Sequence, residues 1–252
     1  MTDSHEEIKK LLNPFAPITL EEMDDVKLMN RTDTKFVFER SLLPKLLKQL
    51  SQEYKVLSVD NNRISEYKTL YFDTRDFQFY MDHHNGKENR FKVRIRNYVE
   101  SELFFLEIKN KIKGRTAKSR IRLEDFELEL GHRSKTYVEE VMGEGINLEA
   151  KLWNGFHRIT LVQEETTERL TLDIGLNFAW KDREKKYDHI VIAELKQERA
   201  DRASLFYSLM KENTIRPSGM SKYCVGVVSL FSDIKYNVFK EKLLLIDKLA
   251  LS

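Results

Sequence analysis

The run Arg90-Phe-Lys-Val-Arg-Ile-Arg96 alternates cation and hydrophobe without a break, and this pattern restricts the chain more than any other part of it. Successive side chains of a strand point to opposite faces. Arg90, Lys92, Arg94 and Arg96 therefore share one face, about 6.6 Å apart, and Phe91, Val93 and Ile95 share the other. The pattern recurs. Over residues 103–111, Glu107, Lys109 and Lys111 oppose Phe104, Leu106 and Ile108. Beyond Gly114 and Arg115, the cations Lys118, Arg120 and Arg122 alternate with Ser119, Ile121 and Leu123. Later, Arg169, Thr171 and Asp173 oppose Leu170, Leu172 and Ile174, while Glu194 and Lys196 share a face with Ile190 and Ile192, opposite Val191, Ala193 and Leu195. Near the start, Asp33 and Lys35 oppose Phe36 and Phe38 less cleanly.

A single strand of this kind is satisfied by a half-buried sheet whose polar side faces water. A succession is not, because like charges on neighbouring strands repel unless an anion intervenes. Composition matters here: 33% of residues are charged, yet 43 Lys+Arg nearly cancel 41 Asp+Glu. With no global polyanion signal, any basic site must be local. A closed barrel with its apolar side outward under helices and its charged side inward resolves the conflict. We therefore expect an α+β fold, a closed antiparallel β-barrel of about eight strands with helices packed on its outside. Burying unpaired cations costs on the order of several kcal/mol per ion. A chain of phosphates supplies the missing charge, with Arg offering planar forks and Lys a compact point charge.

No repeat or linker interrupts the 252 residues, and the four prolines and nine glycines are scattered. One domain over 1–252 is expected, with a helical, acidic segment over 1–30 and a last helix within 232–252. Ser41 reads as the N-cap of a helix carrying Leu42, Leu43, Leu46, Leu47 and Leu50, with Pro44 in its first turn. Strands fill 54–123 around a short helix near 77–84, and a helix-favouring stretch spans 134–153. Strands return at 158–164, 169–173 and 189–196, followed by helices at 202–211, 220–231 and 236–249. Tyr67, Tyr71, Phe72, Phe77 and Tyr80 read as core. The lone Cys224 reads as a small buried hydrophobe, and the adjacent His83 and His84 lack ligand spacing and read as structural. The apolar stretch 224–231 is too short to span a bilayer and residues 1–10 lack the run of a signal peptide, so a cytoplasmic setting is expected.

Tyr67-Lys-Thr-Leu-Tyr-Phe-Asp-Thr74, Arg90-Phe-Lys-Val-Arg-Ile-Arg96, Phe105-Leu-Glu-Ile-Lys109, Gly114-Arg115, Lys118-Ser-Arg120, Glu168-Arg-Leu-Thr-Leu-Asp173, Ala193-Glu-Leu-Lys196 and Ser221-Lys-Tyr223 occur in this order. Together they resemble the VTC polyphosphate polymerase domain of the triphosphate tunnel metalloenzymes, from about residue 31 to residue 231. The resemblance implies that Lys35, Arg94, Arg96, Lys109, Arg158, Arg169, Lys196 and Lys222 line a tunnel and hold phosphates. It also implies that Glu194, with Glu107, holds Mg²⁺ or Mn²⁺. Lys35, Arg94, Arg96, Lys109 and Glu194 are the expected catalytic set; Lys92, Lys118, Arg120 and Ser221 join the substrate-binding set. Asp173 reads as a structural partner of the arginines.

In the wider superfamily the first strand carries Glu-x-Glu-x-Lys. Here the stretch is Arg31-Thr-Asp33-Thr-Lys35, which resembles the VTC branch and weakens a second, acid-rich metal site. The resemblance implies a nucleoside triphosphate or inorganic polyphosphate as substrate. Polymerase, triphosphatase and inert polyphosphate-binding module all stay open. Relatives in membrane complexes carry transmembrane segments and a phosphate-sensing module, both absent from this sequence, so a lone catalytic domain is expected; a membrane partner and the oligomeric state stay open. Nucleic acid is not expected, since mainly Phe105 interleaves with the cations.

Overall fold

The computed structural model of the protein describes residues 2–25, 32–112 and 115–251. Arg31 and Gly114, both part of the motifs above, lie outside them. The helices are α1 (Thr2–Leu12), α2 (Leu20–Asp25), α3 (Leu43–Leu50), α4 (Gln78–His84), α5 (His132–Met142), α6 (Leu205–Glu212), α7 (Lys222–Leu230) and α8 (Lys240–Leu249). The strands are β1 (Pro17–Ile18), β2 (Thr32–Glu39), β3 (Lys55–Leu57), β4 (Ser65–Asp73), β5 (Arg90–Tyr98) and β6 (Leu103–Ile112). After these come β7 (Arg115–Leu123), β8 (Glu149–Gln163), β9 (Glu168–Trp180), β10 (Arg183–Tyr187) and β11 (Ile190–Gln197).

Eight strands pair antiparallel in the order β2-β11-β9-β8-β4-β5-β6-β7, with β10 added to β9 and the short β1–β3 pair added to β8. The antiparallel sheet and its outer helices are as the alternation requires. Its outermost strands in this order, β2 and β7, are not joined to each other by a ladder among the described residues. The sheet curls where β8 and β9 fall out of step between Gly155 and His157. There Gly175 takes a left-handed φ of +63°, and a Cβ on Gly155 would sit 2.9 Å from the Asn177 side chain. Both glycines allow a bulge that bends the two longest strands.

The outward face is apolar. Phe36, Phe38, Leu170, Leu172, Val191 and Leu195 pack there with α3 and α6, while Val93, Ile95, Leu106 and Ile108 pack with Val138 of α5. Leu43, Leu46, Leu47 and Leu50 of α3 are all fully buried. Ser41 does not cap this helix. The chain tightens first into a 3₁₀ turn over Arg40–Leu42, so Leu42 occupies the cap position and Pro44 falls in the first turn as expected.

Two further readings are corrected. Residues 149–153 are strand, because Leu152 pairs with Tyr71 of β4 and buries its side chain, which overrides local helix preference. The charged segment β10 was not anticipated, since its Glu184, Lys185 and Lys186 are exposed edge residues with no apolar alternation. Cys224 and His84 are buried as structural residues. Among the described residues no helix is long and apolar enough to cross a membrane.

Helix α7 departs from the outside packing, with Tyr80 of α4 and Ile246 of α8 joining its buried cluster. Tyr223, Cys224, Val227 and Leu230 meet Val37, Ile190, Ile192, Leu176 and Phe178. Val37 and Ile192 sit on the same strand faces as Lys35 and Glu194. The helix therefore enters the concave side of the sheet, and it does so closely: a Cβ on Gly226 would lie 2.6 Å from the Phe178 ring.

Candidate functional site: a cationic cavity beside α7

The remainder of the concave side is charged. From β5 come Lys92, Arg94 and Arg96, from β6 Glu107 and Lys109, from β7 Lys118, from β8 Arg158, from β9 Asp173, from β11 Glu194 and Lys196, and from β2 Lys35. Cross-strand register explains their neighbours: Arg94 lies opposite Glu107, Lys92 opposite Lys109, Lys109 opposite Lys118, and Lys35 opposite Glu194. Alternation made these residues share a face, and curling of the sheet brings separate strands together. The Lys92 ammonium is destabilised by Lys35, and that of Lys109 is supported by Glu194, although β5 and β6 stand far from β2 and β11 in the strand order.

Asp33 shares the face of Lys35, and Asp73 is taken up by Tyr223 and the N–H groups of Phe79 and Tyr80; Glu107, Asp173 and Glu194 are used differently. Glu107 is fully buried; its Oε2 accepts from Arg94 Nε and Nη2 at 2.8 and 2.6 Å, and its Oε1 faces Lys118 Nζ at 2.5 Å. Burial alone would raise its pKa, but Arg94, Arg96 and Lys118 outweigh burial and hold it well below the usual range. Asp173 accepts a two-pronged bond from Arg158 at 2.6 and 2.8 Å and a further bond from Lys222. Arg158 and Lys222 likewise overcome the effect of burial and depress its pKa. Glu194 is looser. Lys35 and Lys196 stand 3.5 and 3.9 Å from its oxygens, and these two, with Arg158 and Lys222, overcome burial and bring it to about 2.

A divalent cation of the kind the sequence resemblance implies fits Glu194 better than Glu107. Glu194 is held only by the longer ion pairs to Lys35 and Lys196, at 3.5 and 3.9 Å, whereas both oxygens of Glu107 are engaged by cations at 2.6 and 2.5 Å. No group of three or more His, Cys, Asp or Glu converges among the described residues, so the remaining ligands would come from phosphate oxygens and water, as Mg²⁺ commonly arranges.

The lysines report a surplus of positive charge. The field of Arg94, then burial, then Arg96 lowers Lys109 to about 6. Burial lowers Lys92 and Lys222 to about 8 each. Lys92 donates to Ser221 Oγ at 3.0 Å, and the same hydroxyl accepts from the Cys224 N–H in the first turn of α7. The positive end of α7 thus meets the cations rather than offsetting them. Arg96 is held against Thr69 Oγ1 and lies over Tyr67 and Phe156.

Most of the sequence-derived set shares this concave face; Arg169 and Arg120 lie on it by register, opposite Lys196 and Glu107, and each has its side chain engaged. Arg169 reaches the carbonyl of Met23 in α2, and Arg120 is exposed, stacked 4.3 Å over Phe105. Tyr67 packs against the buried cluster under α7, as its reading as core expects, and it also lies half-buried against Arg96 and Arg158, with Phe156 stacked on it at 5.1 Å. Phe156 was missed. The alternation of Tyr67 with Leu70 and Phe72 could have revealed the face of the first, but the bulge in β8 hides that of the second. A cavity of about 970 Å³ elsewhere, between β2 and α8, mixes Glu39 and Glu241 with Lys45, Arg216 and Lys242 and gathers no comparable row of one sign.

The family model of the VTC domain matches residues 30–231. Among solved structures, a protein from Hippeastrum described as an adenylyl cyclase with a dominant triphosphatase activity is 16% identical with a TM-score of 0.50, over 81% of this chain and 98% of that one. A protein from Vibrio parahaemolyticus described as an adenylate cyclase is 12% identical with a TM-score of 0.48, over 78% and 99%. No curated protein matches. The first of these likenesses supports the fold, and with the family match running through every charged strand, the chain belongs to the VTC domain family.

Proposed function

We propose that the protein carries out metal-dependent phosphoryl transfer on a nucleoside triphosphate or an inorganic polyphosphate in the cationic cavity, and that its reaction is polyphosphate synthesis. The observation that carries this reading is the surplus of cations over carboxylates on one concave face of the sheet, where Lys92 lies opposite Lys109 and Lys109 opposite Lys118, a surplus that lowers the pKa of Lys109. An extended phosphate chain removes that surplus and returns the lysines to their charged forms.

Phosphoryl transfer asks mainly for alignment and charge stabilisation. Arg96 and Arg158, braced on Tyr67 and Phe156, would present forks to successive phosphates. Lys109, Lys196 and Lys222 would add point charges, and the first turn of α7 would add backbone N–H groups. Arg94 is tied to Glu107 and would act chiefly by fixing that pair. Glu194 would hold Mg²⁺ or Mn²⁺, which when bound supplies charge neutralisation at the phosphate oxygens.

The acceptor follows from the carboxylates. Activating water needs a base with a pKa near the working pH; Glu107, Asp173 and Glu194 are all held far below it, and Lys109, at about 6 without ligand, would be returned to its charged form by the bound phosphates. A phosphate chain end is already anionic and needs no such base. This favours chain growth over a triphosphatase reaction. Incubation with ATP and Mn²⁺, with products separated by length, tests the reading: long chains are expected, orthophosphate alone would make the protein a triphosphatase, and no turnover would leave a binding module.

A further inference from the structure

One cross-strand row of the concave face differs from its neighbour. Thr160 of β8, Thr171 of β9, Glu194 of β11 and Lys35 of β2 stand side by side in register. In the next row, Arg158 and Asp173 bond each other while Ile192 and Val37 pack under α7. In this one a polar atom is left over. Thr171 is only 3% exposed, and its Oγ1, sealed from solvent, has no hydrogen-bond partner. Thr69, also buried on this face, offers the contrast: its hydroxyl accepts from Arg96 Nε at 3.4 Å.

A buried hydroxyl costs stability unless something bonds it. Valine has nearly the same shape and suits a strand as well, so a plain sheet gains nothing from the oxygen of Thr171. Directly opposite stands Glu194, with about 5 Å between the Cβ atoms. Glu194 is steadied by Lys35 and Lys196 at 3.5 and 3.9 Å. A divalent cation on this carboxylate repels both ammonium groups, which are then free for phosphate. The acid would thus lose the groups that steady it when it has to hold the ion. A hydroxyl is neutral, donates one hydrogen bond and can stay beside a carboxylate that bears a cation. Partners of this kind orient a metal-binding carboxylate, and removing them weakens the metal by about 10–100-fold.

We propose that Thr171 is a positioning residue of the divalent-cation site: with the ion bound, its hydroxyl donates to the Glu194 carboxylate and holds it in place. This rests on the reading of Glu194 as the residue that holds the ion and adds the neighbour that orients it. The orphaned oxygen and the loosely held acid are two halves of one arrangement, each completed when the ion arrives.

The test titrates Mn²⁺ into the full chain without nucleotide and counts the free ion by electron paramagnetic resonance. Glu194→Gln should abolish binding at this site. Thr171→Val should weaken it by about 10–100-fold, and Thr171→Ser, which keeps a hydroxyl, should bind within about threefold of the unaltered protein. The unfolding temperature without metal separates this role from a structural one: Thr171→Val should keep or raise it, because no bond is lost. Unchanged Mn²⁺ affinity in Thr171→Val, with binding still lost in Glu194→Gln, would overturn the role of Thr171 and leave Glu194 as the holder. Weakened Mn²⁺ binding in Thr171→Val accompanied by a lowered unfolding temperature would overturn it as well, since the hydroxyl would then be structural. Mn²⁺ binding that survives Glu194→Gln would instead defeat the metal reading of Glu194 and, with it, this inference.

Discussion

On the inward face of β11, Ile190 and Ile192 are covered by α7, while Glu194 and Lys196, the next two positions on that face, look into the cationic cavity. The same division runs through β2, where Val37 packs under the helix and Lys35 does not. The contrast teaches why the cavity is left for a ligand. Apolar side chains are stabilised by any apolar partner, so the chain fills that half with its own helix. Covering the charged half with a protein element would strand Arg96, Lys109 and Lys222 away from water without enough carboxylates to pair them.

The largest expected effect comes where the halves meet. Asp173→Asn leaves Arg158 and Lys222 buried without their carboxylate and should cost about 3–5 kcal/mol of stability. Thermal unfolding checks this, and added tripolyphosphate should restore more stability to the variant than to the unaltered protein. Equal restoration would mean that the two cations do not face the ligand. Within the charged half, Glu194→Gln breaks only long ion pairs. It should leave the unfolding temperature nearly unchanged while lowering turnover about 100-fold; a steady-state assay with ATP and Mn²⁺ decides it. Within the apolar half, Gly226→Val forces α7 away from Phe178 and should destabilise by about 1–3 kcal/mol, read by denaturant titration. An unchanged midpoint would show that α7 is not wedged against the sheet.

The smallest effect is a pH dependence. Burial, reinforced by Lys35, Arg90 and Arg94, lowers Lys92 from 10.5 to about 8 in the folded protein. The unfolded chain therefore holds this proton more tightly. Between about pH 8 and 10.5 the unfolded state binds more protons, so the contribution of Lys92 to stability rises with pH across that window. Filling the cavity with tripolyphosphate should flatten the rise, because the anion returns the lysine to its charged form. A slope unaffected by the ligand would place Lys92 outside the filled volume.

Much of the site was legible because strand geometry is short-ranged. The period of two fixes which residues of 90–96 and 103–111 share a face, and no partner strand is needed to know it. Helix α3 was legible from Leu43, Leu46, Leu47 and Leu50, whereas its cap was not, since a 3₁₀ turn and an N-capped start carry nearly the same sequence. Residues 149–153 and β10 were illegible for a related reason: they are strands because β4 and β9 offer them ladders, and a ladder partner is not a local property.

The sequence by itself determined that cations and hydrophobes occupy opposite faces of several strands, and that unlike solvent-facing surfaces these charges recur with one sign. Only the tertiary structure decided which cations keep their charge available. Arg94 and Arg158 both belong to the row of bases, yet one is bound to Glu107 and the other to Asp173, and Glu194 alone of the three acids is loosely held. Coulomb energy depends on separation and burial, and both are set by how the sheet curls and where α7 enters, which residue spacing along a strand does not encode.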